Sequence, residues 1–489
     1  MRPVLSSAAA PVPRKDGPMR RTKIVCTVGP AIRSPEMIRQ VLEAGVDVFR
    51  LNFSHGTPDD HRRSVHHIRS VADDLGKPVA ILQDLPGPKI RIGTFQHGPV
   101  HLGAGDDFTL TTAPVPGSRA RMSVNFAGLP EEVRPGQRLL LADGLVELRI
   151  EAVEPPDIRC KVILGGSLSD HKGITVPRGA TGINAFTEKD RELLLEGLDM
   201  GVDMAALSFV RNRDDVLSAR MLLDGRGSNL PLMAKIEKPE AVDALDDILP
   251  AVDALMVARG DLGVEIPYED VPLVQKDIIA KALQAARPVV TATQMLRSMV
   301  ASPRPTRAEA ADVANAVLDG SDAVMLSEES ATGAYPVEAV RALASIAKQA
   351  EARLFQRTAH GNPERRGIPG VSGAISHASC VLALEAGAKA IVCCTRSGHT
   401  ARVAARHRIS VPIIAVSPEV ATVRRLALVW GVKPVLCAEF DTTDGMIRTS
   451  LDAAREAGGL GRGDHIVIVG GSPSAGPGHT DFVRVAAVP

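Results

Sequence analysis

Apolar residues in this chain come in short unbroken runs, each followed by a stretch where they recur every three or four positions. The runs are TKIVCTV (22–28), VDVFRLNF (46–53), PVAILQDL (78–85), MAALSFV (204–210), LPLMAKIE (230–237), ALMVARGD (254–261), RPVVTATQM (287–295) and DAVMLSEE (322–329). Runs that do not alternate with polar residues read as strands buried on both faces, the mark of a parallel sheet covered by helices. The segments between them are amphipathic. EAVDALDDIL (240–249) puts Val242, Leu245 and Leu249 on one helix face. Thr306, with Glu309 three residues on, is a capping box opening another helix. Eight strand–helix units in series predict a (β/α)8 TIM barrel.

The spacing breaks once, between the third and fourth runs. That insertion reads as β-structure: FTLTT, RMSVNF, LLLADGLVELRI and RCKVIL, with Asp143-Gly144 as a hairpin turn. It predicts a small β-barrel lid domain over residues 88–184, seated on the strand-end loops, with the catalytic barrel made of 19–87 and 185–355. After HGNPERRGIPG, a polar linker rich in Gly and Pro, a second α/β unit (356–489) carries AIVCCT (390–395), VPIIAVS (411–417), KPVLC (433–437) and HIVIVGG (465–471). Residues 1–18, rich in Ala, Pro, Ser and Arg, read as a disordered arm without the apolar core of a secretory signal.

Composition narrows the picture. Hydrophobic residues are 45% of the 489 but aromatics only 3%, so the cores must be built from Ala, Val, Leu and Ile. A formal net charge of zero offers no global field to gather nucleic acid or an anionic membrane. No run approaches the roughly 20 apolar residues of a membrane span. The cysteines, Cys26, Cys160, Cys380, Cys393, Cys394 and Cys437, form no CxxC and read as reduced, mostly buried thiols of a cytoplasmic protein. There is no Walker A motif and no dinucleotide-type GxGxxG, so nucleotide binding needs another design.

In such barrels the active site lies at the C-terminal strand ends. Those ends carry Pro30; Arg50, Asn52, Ser54 and His55; Asp84; Ser208; Lys235 and Glu237; Asp261; Thr293; and Glu329. Glu237 and Asp261 are hard oxygen donors suited to Mg²⁺, which takes one or two carboxylates and completes its shell with substrate oxygens and water. Lys235 precedes Glu237 by two, so both point to one strand face, and its ammonium can neutralise a phosphoryl group in transfer. Arg50 can fork onto phosphate, as can Arg91. Gly260-Asp261-Leu262-Gly263 reads as a turn whose backbone N–H groups can hold a carboxylate. The Thr293 hydroxyl can relay a proton through water. Salt bridges across the barrel mouth would use the same charged residues.

With these residues assembled, the chain resembles the pyruvate kinase family from about residue 20 onward. The densest matches are RRTKIVCTVGP, VFRLNFSHG, ILQDLPGPKIRIG, AKIEKPE, MVARGDLGVE, TATQML and ADVANAVLDGSDAVMLS. The resemblance implies phosphoryl transfer from phosphoenolpyruvate to ADP, giving pyruvate and ATP. It implies Mg²⁺, with Mn²⁺ as an alternative, on Glu237 and Asp261. Lys235 and Arg50 would bind the moving group, Gly260 the substrate carboxylate, and Thr293 would help deliver the proton. Pro30, Asn52, His55, Arg91 and Ser208 would line the nucleotide side, with Lys172 of HKGITVP reaching in when the lid closes. It also implies a homotetramer.

Three departures from the family's commonest pattern stand out. Many members bind K⁺ with counterparts of Asn52, Ser54, Asp84 and Leu85, and read D-T-K-G-P-E-I-R where this chain has Asp84-Leu85-Pro86-Gly87-Pro88-Lys89-Ile90-Arg91. Lys89 brings the charge that K⁺ would bring, as in the K⁺-independent branch. Arg297 stands where the family often has glutamate, and Glu328 where it usually has glycine. The C-terminal unit resembles the family's regulatory domain. There Thr395, Arg396, Ser397, Gly398, His399 and Thr400 offer a phosphate cradle, with Arg402, Arg406, Arg424 and Arg425 nearby in sequence and the 470–478 loop able to close over it. A sugar phosphate or nucleoside monophosphate is the implied effector. A Mg²⁺-dependent lyase or aldolase acting on pyruvate would share the two acidic ligands but would not need Lys235; a non-catalytic sugar-phosphate sensor would need none of them.

Overall fold

A computed structural model describes residues 20–177, 182, 184–357, 368–471 and 479–489. The expected N-terminal arm and most of the 470–478 loop lie outside the described residues. The eight runs do form strands: Lys23–Thr27, Val48–Asn52, Ala80–Asp84, Met204–Leu207, Leu232–Ile236, Ala254–Ala258, Val289–Ala292 and Ala323–Leu326. They are parallel, pair in chain order and close into a barrel, the first on the eighth. Each strand is shorter than its apolar run, because the runs continue into the loops.

Period-two alternation sorts the strand residues into two buried layers. Val25, Val48, Leu82, Met233, Met256, Val290 and Met325 fill the barrel interior. Ile24, Cys26, Phe49, Ile81, Ile236, Leu255 and Val324 point outward under the helices. The helices begin as their sequences predict. Thr57, Thr187 and Thr306 each close a capping box with an acidic residue three positions on. The 240–249 segment, however, is two short helices, Pro239–Asp243 and Leu245–Ile248, rather than one.

The insertion forms a six-stranded sheet and a separate two-stranded pair, Val100–Leu102 with Gly166–Leu168. Its hairpin turns at Asp143-Gly144, with φ of 57° and 86° as such a turn requires. Phe108, Leu110, Leu139, Leu148 and Ile158 give it a core of its own.

The C-terminal unit is a five-stranded sheet ordered Val432–Leu436, Ile413–Ser417, Ala390–Cys394, His465–Gly470 and Phe482–Ala487, the last antiparallel. The sequence reading missed that edge strand. Cys393 and Cys394 face opposite sides and join different cores. All six thiols are free.

This unit joins the barrel at the end opposite the candidate site. Ala427 and Leu428 belong to the same apolar cluster as the barrel interior. Beside them Asp322, which leads into the eighth strand, accepts from Arg408 Nη2 at 2.8 Å and from the Trp430 backbone N–H at 3.0 Å. The Arg408 guanidinium lies 4.8 Å from the Trp430 ring centroid. No helix among the described residues is long and apolar enough to cross a membrane.

Candidate active site

Strands two, three and five bring Arg50, Asp84 and Lys235 together at the barrel mouth. Lys235 Nζ lies 2.7 Å from Glu237 Oε1, 3.4 Å from Asp84 Oδ1 and 2.7 Å from Ser208 Oγ. Ser208 passes the contact on, donating to Leu85 O at 2.7 Å. Arg50 Nε donates to the other Asp84 oxygen at 2.6 Å and its Nη1 to Thr27 Oγ1 at 3.0 Å. Asp84 is therefore held by a cation on each oxygen. Its carboxyl sits below the ordinary aspartate range because Lys235 and Arg50 outweigh the upward push of burial.

Glu237 is fully buried. Its Oε2 accepts from the Phe209 N–H at 2.8 Å, whereas Oε1 has the Lys235 ion pair but no well-directed hydrogen bond. Burial pushes its pKa up to about 6, Lys235 opposes that, and the carboxylate of Asp261 adds to it. For Lys235, burial works downward, but Asp84, Glu237 and Asp261 together outweigh it and keep it an ammonium. One cation facing three carboxylates stays charged; Glu237, facing one ammonium and one carboxylate in a dry site, is the group that yields.

Asp261 is not at a strand end, nor in a turn. The structure corrects that expectation: Arg259–Glu265 is a short helix, and Asp261 lies in its first turn. Arg259, which the sequence reading passed over, anchors it by donating to Thr293 O at 2.8 Å and Asp312 Oδ1 at 2.7 Å. Thr293 follows the seventh strand at φ 70°, a strained conformation for a β-branched residue. Its hydroxyl donates to Ala292 O at 2.6 Å and accepts from the Gly260 N–H at 2.7 Å. The N–H expected to face a substrate carboxylate is thus turned toward Thr293.

Lys89 also reaches this mouth, with Nζ 3.1 Å from Asp261 Oδ1. Among the described residues no hydrogen bond or ion pair joins it to Asn52, Ser54 or Asp84. Asn52 Oδ1 accepts from the Ser54 N–H at 3.1 Å. Pro30, Ser54, His55 and Lys172 are exposed, and Arg91 donates to His171 O at 3.1 Å within the insertion. Among the described residues no hydrogen bond or ion pair ties these to Lys235.

The two unusual residues, Arg297 and Glu328, prove to be partners, forming an ion pair between the loops after strands seven and eight. Beneath them buried Glu329 accepts from the N–H groups of Leu296 and Ser327, at 3.1 and 2.8 Å. In the C-terminal unit Thr395 Oγ1 accepts from the Gly398 N–H at 2.9 Å, and Arg396 pairs with Glu439.

The donor set fits a hard divalent cation. Two carboxylates converge, one with an oxygen lacking a well-directed donor, and Asp261 raises the cost of ionising Glu237. Among the described residues no cluster of three or more His, Cys, Asp or Glu offers an all-protein cage, so substrate oxygens and water would complete the shell.

An eight-stranded parallel barrel whose mouth gathers a lysine, an arginine and paired carboxylates defines a phosphotransferase-type site. Two family models match the chain: "Pyruvate kinase, barrel domain" over residues 19–340 and "Pyruvate kinase, alpha/beta domain" over 373–486. Pyruvate kinase 2 of Synechocystis sp. is 47% identical over 473 residues, covering 96% of this chain and 79% of its own. The pyruvate kinases of Mycobacterium tuberculosis and Clostridium acetobutylicum are 45% and 42% identical, covering 98% and 100% of their own lengths. The chain belongs to the pyruvate kinase family.

Were Glu237 to hold a divalent cation, binding would carry a pH signature. The cation needs the carboxylate, so protons compete with it. With a Glu237 pKa of about 6, Mn²⁺ affinity of the substrate-free protein should be level in mildly alkaline buffer and fall about tenfold per pH unit once the pH drops below that value. Isothermal titration across this range checks it; a flat profile would remove Glu237 from the metal site.

Proposed function

We propose that this protein transfers the phosphoryl group of phosphoenolpyruvate to ADP in a Mg²⁺-dependent reaction, giving pyruvate and ATP. The observation that carries this reading is the buried Lys235 ammonium, braced by Glu237, Asp84 and Ser208 with Arg50 alongside. A loose phosphoryl-transfer transition state asks for fixed positive charge and positioning rather than covalent chemistry. Lys235 neutralises the phosphoryl oxygens and Arg50 orients them. Glu237 and Asp261 would hold the divalent ion, which when bound would supply Lewis-acid stabilisation of developing negative charge. Transfer leaves enolpyruvate, whose carbon must take a proton. Thr293, its hydroxyl already hydrogen-bonded at the mouth, helps deliver that proton through water. The lyase reading gives no reason for so costly a buried lysine.

The Lys235→Met variant should lose about 10³-fold or more in ADP-dependent pyruvate formation while still binding Mn²⁺. Near-normal turnover would take Lys235 out of its role.

We propose also that the enzyme needs no K⁺, because the Lys89 ammonium supplies a covalently tethered monovalent charge at the mouth. Rates at saturating substrates in Tris buffer free of sodium should be the same with and without KCl. A many-fold KCl requirement would defeat this.

For regulation, the Thr395–Thr400 loop is the proposed phosphate cradle of a sugar-phosphate or nucleoside-monophosphate activator. The exposed Arg396 and Ser397 support this, although Arg396 would first have to leave Glu439. Such effectors should shift the phosphoenolpyruvate saturation curve to lower concentration; a panel that leaves the curve unmoved argues against the site.

A further inference from the structure

Lys89 makes a contact other than the one the sequence suggested. Its ammonium lies 3.1 Å from Asp261 Oδ1, both side chains about one-third exposed (30% and 33%). Asp84, the carboxylate of the monovalent-cation set, is occupied on both oxygens by Arg50 and Lys235. Asp261 thus meets the lysine of this chain and, on the reading given above, is also a ligand of the divalent ion.

We infer that Lys89 and the divalent cation compete for Asp261, so that metal binding must displace the ammonium from the carboxylate. This rests on Asp261 being a metal ligand. The geometry supports it in two ways. An ammonium 3.1 Å from one carboxylate oxygen stands within the range where a divalent ion bound to Asp261 would be strongly repelled by it. Lys89 is also steered there from the insertion. A methyl group placed on Gly173 would come within 3.0 Å of Lys89 Cε, so the glycine leaves the stem its path. The backbone around it is fixed, since Ile174 N donates to Ile90 O at 2.9 Å and Gly173 O accepts from Ala142 N at 3.1 Å. A small cavity of about 50 Å³ lies at the same seam, between Ile90, Ile174 and Val176 of the insertion and Phe209 and Lys238 of the barrel.

The consequence is that the Lys89–Asp261 pair ties the segment entering the insertion to the catalytic barrel and is released when the cation arrives. The cation then encounters an Asp261 that is already neutralised, so its affinity before substrate binds is weaker than the bare carboxylates would give.

Mn²⁺ binding to the substrate-free protein, followed by the loss of the free-ion electron paramagnetic resonance signal, tests this without any turnover. Lys89→Met should tighten Mn²⁺ roughly two- to fivefold, the equilibrium worth of one partly exposed ion pair. Gly173→Ala, which presses on the lysine stem without altering any charge, should tighten it in the same direction but by less, and should add nothing in the Lys89→Met background. Unchanged or weaker Mn²⁺ binding in folded Lys89→Met, checked by circular dichroism, overturns the inference. Asp261→Asn separates the two levels. If it fails to weaken Mn²⁺ binding, the metal-site reading itself falls; if it weakens binding but Lys89→Met does not tighten it, only the competition falls.

Discussion

The barrel mouth is organised around one desolvated charge. Lys235 sits on the fifth strand with little water around it, and the site survives only because Asp84, Glu237 and Ser208 surround the ammonium. Removing one partner from a buried ion pair costs about 3–5 kcal/mol, chiefly because the remaining charge is stranded. Each partner is fixed in turn. Asp84 is held by Arg50, Glu237 by the Phe209 N–H, and Ser208 by Leu85 O. Strands two to five and the loops after them are thereby bound into one electrostatic unit, which the apolar layers on either side keep dry.

Charge balance at this mouth is close. Arg50, Lys89 and Lys235 face Asp84, Glu237 and Asp261, three cations against three anions. A balanced set of this kind has little net charge with which to draw in a polyanionic substrate that arrives without a counter-cation. It also explains why the acidic group that yields is Glu237. It is the most deeply buried of the three, and one of its oxygens has no well-directed hydrogen bond.

Much of the fold was legible because parallel strands covered on both faces cannot hide their apolar runs. Strand ends were overrun where apolar residues continue into loops, as at Phe209-Val210 and Met295. The Asp261 helix was misread because Gly260 and Gly263 resemble turn residues, whereas the Arg259 side chain, tied to Thr293 O and Asp312, supports a helical turn. The Phe482–Ala487 edge strand was missed because it carries Arg484 and is half exposed, so no continuous apolar run announced it. Of the site, the residue types at the strand ends were readable, but their pairing was not. Lys89 and Asp261 are 172 positions apart, and nothing local says that they meet. Arg297 and Glu328 each looked like an isolated oddity; only in space do the two unusual charges cancel.

The scarcity of aromatic residues has a practical outcome. The chain has one tryptophan, and Trp430 is almost wholly buried where the C-terminal unit meets the barrel floor, with Phe355 edge-on to its ring at 6.1 Å and the Arg408 guanidinium over it. Indole emission from the native protein therefore comes from a single known place, far along the strands from the chemistry. Its wavelength and intensity report the polarity and quenching at that one seam, so the unlabelled protein carries a built-in optical gauge of how tightly its two α/β units are joined.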